Sequence, residues 1–181
     1  SMKKRIQRAW QGFKAARLSN EQLIAQIITG PNALALDAVA TLQEKLSLQD
    51  GSLRGAMLQN APLQNVRLAR AILPEVDLSN ANLKNAYLGA ADLQGARMVN
   101  ANLKDANLRE IILHHADLQG ANLSGVHLAA GKLHDVNLRG TNLSNANLWQ
   151  TQFHGADLTD AICTGTNLTL ALFDAETVLP D

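Results

Sequence analysis

Aromatic side chains make up only 3% of this chain of 181 residues, low for a conventional globular core. A single cysteine, Cys163, excludes an internal disulfide and reads as a small buried hydrophobe. No apolar run approaches the ~18–20 residues of a membrane span, and no signal-peptide core is present. Nucleophile elbow, phosphate loop and Cys/His zinc spacing are all missing, so the chain is read as non-catalytic and free of cofactors. Net charge is formally zero, but that average conceals an asymmetry: residues 1–47 carry +4 and the remainder −4.

What the chain has is a bulky residue at every fifth position from Leu48 to Phe173. Leucine holds the beat from Leu48 to Leu93 and from Leu103 to Leu148; Met98, Phe153, Leu158, Cys163, Leu168 and Phe173 complete it. Two residues before each centre lies a smaller side chain, mostly alanine, as at Ala81, Ala101, Ala121 and Ala156. Five residues turn an α-helix by about 500°, which scatters the leucines around the cylinder. In a continuous strand an odd step alternates them between faces. The chain must therefore bend once per repeat, and the positions two after each centre carry turn residues such as Asn60, Asn65, Gly95, Gly120 and Gly125.

Runs such as Ala81-Asn82-Leu83-Lys84-Asn85, Ala121-Asn122-Leu123-Ser124-Gly125 and Ala156-Asp157-Leu158-Thr159-Asp160 resemble the A(D/N)LXX motif of the pentapeptide repeat family. The resemblance covers roughly two-thirds of the chain in 25 or more in-register copies. It implies an all-β solenoid: a right-handed quadrilateral β-helix with four pentapeptides to a coil. Residues twenty apart then stack on one wall, giving a column of His114, His134 and His154 and another of Asn82, Asn102, Asn122 and Asn142. About six coils at ~4.8 Å make a rod roughly 30 Å long.

Residues 1–47 are read as a basic α-helical segment that caps the coil, residues 48–174 as the β-helix and residues 175–181 as a tail that leaves the rhythm. Ser1 before Met2 reads as a cloning remnant, and the abrupt ends suggest one piece of a longer protein. Lys3 to Leu18 forms a basic amphipathic pattern with Ile6, Trp10 and Phe13 as its apolar stripe. Trp10 and Phe13 serve either an anionic membrane surface or packing on the next helices. Ser19-Asn20-Glu21-Gln22 is a capping box for a helix with Leu23, Ile24, Ile27 and Ile28 on one face. Gly30-Pro31-Asn32 ends it, and a third helix is expected over about Ala33 to Leu46. Leu170 and Leu172 fall at outward positions near the other end.

Candidate site residues come from the exterior. His114, His134 and His154 are read as a solvated column rather than a metal site, since two imidazoles would have to converge on one ion and no carboxylate partner is evident. Such a column gains charge near pH ~6.5. Tyr87 and Trp149 lie on one wall with Arg67, Arg70 and Arg109, either as contact residues or as rings lying flat on neighbouring rungs. Ile72, Pro74 and Ile112 interrupt the polar histidine wall and form a second candidate surface.

The leading functional reading is a scaffold that displays these faces to a protein partner, in the cytoplasm, with residues 3–18 as a candidate peripheral attachment to an anionic membrane. The resemblance supplies a different class, a DNA-mimicking inhibitor or protector of gyrase. Charge argues against it: duplex DNA presents roughly 17 negative charges over ~30 Å, whereas the repeat region nets −4 and Arg97 and Arg139 interrupt its most acidic wall. The gyrase-targeting members dimerise through their C-terminal end, for which this chain has no matching long apolar module. A targeting module of a larger enzyme or membrane protein is a third, remote reading. Direct nucleic-acid binding is not expected, and the oligomeric state is left open.

Overall fold

The computed structural model describes residues 18–29, 37–41, 48–51 and 53–181. The basic stretch 3–17 with Trp10 and Phe13, the Gly30-Pro31-Asn32 break and both ends of the expected third helix lie outside the described residues.

Each corner of the repeat is a four-residue turn, closed where the next small residue donates to the centre's carbonyl, as from Ala106 N to Leu103 O at 3.0 Å. Its third residue has positive φ, as a type II turn requires, at every fifth position from Gly55 to Leu170. Because the chain turns after every centre, the leucines all face one shaft, and Leu63 through Leu148 are buried without interruption. Thr141 and Thr151 take the small positions of two repeats, and their hydroxyls donate to Leu138 O at 2.7 Å and Leu128 O at 2.9 Å, so no buried donor is wasted there.

Residues twenty apart pair as parallel bridges, from Met57 with Asp77 up to Gln152 with Leu172. Four pentapeptides thus make one coil. Each unit adds three coil-to-coil backbone bonds: Asn102 N donates to Ala81 O at 3.0 Å, Leu103 N to Asn122 O at 2.8 Å and Asp105 N to Ser124 O at 2.9 Å.

At the N-terminal end, helix α1 spans Asn20–Thr29. Its capping box is reciprocal: Gln22 N donates to Ser19 Oγ at 3.2 Å and Ser19 N to Gln22 Oε1 at 2.9 Å. Leu23 and Ile27 are buried together with Ala38 and Val39, from the helical residues 37–41, in the cluster that contains Leu48, Leu53 and Leu58. Two short apolar faces therefore cover the mouth of the shaft.

The other end is open. Cys163, expected to be enclosed, is half-buried, and the centres Leu168 and Phe173 are 42% and 39% exposed, because no described coil lies beyond them. Phe173 stacks on Phe153 with ring centroids 5.4 Å apart. The outward Leu170 and Leu172 are exposed as expected. Residues 175–181 break the rhythm by one residue, so that Val178, not residue 177, bridges Asp157. Asp174 absorbs the extra residue: its Oδ1 accepts from Gly155 N at 2.9 Å, where a ladder carbonyl would otherwise sit, and from Thr177 Oγ1 at 2.8 Å.

These bonds, that from Gly155 first, hold the Asp174 carboxyl below its ordinary pKa. A depressed folded pKa contributes stability above the unfolded value, near ~4, that is lost as pH falls through the folded one. Asp174→Asn should therefore lower the melting temperature at neutral pH, and the gap to the unmodified chain should close in melts recorded at progressively lower pH below that range.

Candidate interaction surface

The outward residue between the small residue and the centre has a structural task that decides what it can display. In the turn, the N–H two residues on points away from the ladder and needs an acceptor. Asn and Asp supply it: Asn102 Oδ1 accepts from Lys104 N at 3.2 Å, Asn122 from Ser124 N at 3.1 Å and Asp157 from Thr159 N at 2.9 Å. The Asn82–Asn142 column is therefore scaffolding, with Asn102 Nδ2 also donating to Asn82 Oδ1 at 3.4 Å.

Positions that depart from this rule give up a turn bond for another side chain. Arg67, Tyr87 and His127 do so on one face; Ile72, Ile112, Lys132, Gln152 and Leu172 do so on the next face around the rod. The opposite, aspartate face keeps mainly to the rule and ties its charges down, with Arg139 Nη1 3.0 Å from Asp157 Oδ2 and Arg97 Nε 3.7 Å from Asp77 Oδ2.

On the tyrosine face, Tyr87 is 51% exposed with the Arg67 guanidinium carbon 5.8 Å from its ring centroid. Three coils farther along, the register puts Asn147 on this face; Trp149, 39% exposed, follows at the corner toward the histidine face, where its N donates to Asn147 Oδ1 at 3.2 Å, so the two rings do not meet. Ile72, Pro74 and Ile112 on the histidine face are half-buried.

The histidine column is not the free-standing array the spacing suggests. His114, His134 and His154 are half-buried, with T-shaped rings at centroid separations of 4.5 and 4.8 Å. His134 Nε2 lies 3.0 Å from Gln152 Oε1 and 3.4 Å from His154 Nδ1, and His134 N donates to His114 Nδ1 at 3.4 Å, taking the place of the missing Asx bond. Burial, then the neighbouring His134, His115 and Lys132, lowers the His114 pKa, with Asp92 opposing. A histidine whose folded pKa is lowered loses stability as pH falls through its unfolded value, near ~6.5. Gln152 and Lys132 belong to this cluster and were missed from sequence; the twenty-residue register that stacks His134 on His154 also stacks Lys132 on Gln152 and could have found them.

The contour is not uniformly convex. An open depression of ≈ 570 Å³ is lined by Arg54, Ile72, Pro74, Glu75, Asp92 and His115. Another, of ≈ 430 Å³, lies between Asn85, Tyr87, Asn107 and His127. Both lie on the two departing faces.

No helix among the described residues is long and apolar enough to cross a membrane. No curated protein matches the chain. Among solved structures, Rfr23, a pentapeptide repeat protein from the cyanobacterium Cyanothece 51142, aligns at 39% identity over 48% of this chain and 63% of its own, with a TM-score of 0.33. The chain thus matches less than two-thirds of that protein's length. A pentapeptide repeat protein of the Arabidopsis thaliana thylakoid lumen aligns at 28% identity over 61% of this chain and 70% of its own, with a TM-score of 0.39. QnrB1, a plasmid-mediated fluoroquinolone resistance protein, aligns at 15% identity over 67% and 82%, with a TM-score of 0.48. The family described as Pentapeptide repeats matches residues 52–89, 61–98, 91–129 and 137–174 in eight copies, well over half of the sequence, and the chain belongs to the pentapeptide repeat family.

Proposed function

We propose that this chain is a non-catalytic scaffold that docks a protein partner on its adjoining tyrosine and histidine faces. One observation carries the reading: eight of the twelve outward positions without an Asn or Asp lie on those two faces, five of them on the histidine face, whereas the asparagine face departs only at Pro62 and Ile162 and keeps the Asx bond at Asn82, Asn102, Asn122 and Asn142. A side chain that gives up a turn bond worth roughly 0.5–1.5 kcal/mol is better explained by display than by folding. Tyr87 and Trp149 supply the exposed aromatic area that contact hot spots favour. The DNA-mimic reading has less support, because Arg97 and Arg139 pair with the aspartates that would have to imitate phosphates.

The test is affinity capture from an extract of the source cell, with the full chain as bait. The double variant Tyr87→Ala/Trp149→Ala should lose whatever specific partner the parent retains, whereas Lys84→Ala/Lys104→Ala on the asparagine face should keep it. Equal retention by both variants overturns the assignment. In the same experiment, a chain lacking residues 1–18 reports on peripheral membrane attachment in the cytoplasm: loss of co-sedimentation with anionic vesicles supports it, and unchanged sedimentation removes it. Recovery of gyrase, with inhibition of supercoiling by the purified chain, would transfer the assignment to the topoisomerase reading.

A further inference from the structure

The histidine face holds a geometry that the spacing alone does not reveal. An ion bound tetrahedrally at ~2.0–2.1 Å from two imidazole nitrogens separates those nitrogens by roughly 3.4 Å. His134 Nε2 and His154 Nδ1 stand 3.4 Å apart, on successive rungs whose backbone positions the ladder holds. Gln152 Oε1, 3.0 Å from His134 Nε2, is the candidate third donor. It has to withdraw by roughly 0.4 Å to reach the separation an ion requires, a small motion for a partly exposed amide.

We propose that His134, His154 and Gln152 form a binding site for an imidazole-preferring divalent transition ion, with water completing the coordination. Two imidazoles and one amide oxygen suit Cu²⁺, Ni²⁺ and Zn²⁺ and offer little to Mg²⁺ or Ca²⁺, which seek oxygen-rich sets; by the general affinity order Cu²⁺ binds most tightly. Ligation needs the tautomers that leave His134 Nε2 and His154 Nδ1 unprotonated, with the proton on the other ring nitrogen of each, so neutral imidazoles need lose none. His114 stands outside the set, because its Nδ1 already accepts from His134 N. Among the described residues no group of three or more His, Cys, Asp or Glu side chains is arranged to hold a metal; this site draws its third donor from an amide. Lys132, beside His134 on the same face, opposes a cation, and its removal should tighten binding. Because the two imidazoles belong to successive coils, the ion would staple one coil to the next and stabilise the rod by mass action.

The nearest competing pair is His115 Nδ1 and Asp135 Oδ2, 3.6 Å apart at the adjoining corner and both more than half exposed. The full chain is titrated with ZnCl₂, NiCl₂ and CuCl₂ at about pH 7.5, above the ordinary range of a free imidazole. Side-chain NMR signals and the melting temperature are followed. One ion per chain is expected, with Zn²⁺ shifting the ring signals of His134 and His154 and the side-chain amide of Gln152, and with a raised melting temperature. His134→Asn and His154→Asn should each weaken binding at least about tenfold while leaving the circular dichroism of the repeat unchanged. Lys132→Gln should strengthen it, and His114→Asn and His115→Asn should leave it intact. The proposal falls if about 1 mM of any of these ions leaves the signals unmoved. It falls equally if binding survives His134→Asn or is lost with His115→Asn.

Discussion

Leu103→Ala should destabilise the rod by about 2–5 kcal/mol, and Leu168→Ala, at the same position of the repeat, by far less. Leu103 is fully buried, with a coil on either side of it, whereas Leu168 is already 42% exposed at the open end. In a narrow shaft the loss is hard to heal. Neighbouring centres are pinned by the corner after each of them, and the ladder bond from Leu103 N to Asn122 O fixes the rung whatever the side chain becomes. The cavity therefore persists, and the cost should lie in the upper part of the range for such truncations. Because each coil contacts mainly its neighbours, a central defect weakens two coil interfaces, whereas one at the end weakens half as many. Chemical denaturation followed by circular dichroism measures both variants. Equal losses would show that Leu168 is covered in solution, by a second copy or by another segment.

The period of five was legible because every rung is one local unit repeated in register, so the positions of Leu48 to Phe173 declare the corners without knowledge of any long-range contact. The twenty-residue step was legible for the same reason, and it placed His114, His134 and His154 on one face. What stayed hidden was anything set by a side chain's second partner. The motif shows Asn102 as an outward polar residue, but its use as the acceptor for Lys104 N appears only when the turn is closed. That bond separates outward residues that tie down a turn from those that do not, a division composition alone cannot make. The histidines looked solvated because the repeat puts them outside. Their half-burial comes from Gln152 and from one another, on rungs closer together than an imidazole is wide. Leu168 and Phe173 kept the beat and so read as core, yet burial at a centre requires a coil on both sides, which a count of leucines does not register.

Gly125→Ala should cost about 2 kcal/mol and Gly140→Ala about 1 kcal/mol, whereas Ala130→Gly, the reverse exchange at the same turn position, should stabilise by about 1 kcal/mol. All three residues are the third of a corner turn, with φ of +68°, +63° and +56°. An L side chain held there carries the left-handed penalty of about 1–2 kcal/mol, offset in part by the smaller entropy that alanine loses on folding. That term is common to both glycine substitutions. They differ in what the new methyl group meets. At Gly140 nothing lies within 4 Å, whereas at Gly125 the Asp105 carboxylate from the preceding coil leans directly over the Cα. Asp105 must rotate away, so the second increment belongs to packing between rungs and not to the turn itself. Asp105→Ala in the Gly125→Ala background should recover that increment and leave the conformational cost behind. If the two glycine variants instead melt together, Asp105 moves freely and the left-handed penalty alone governs both corners.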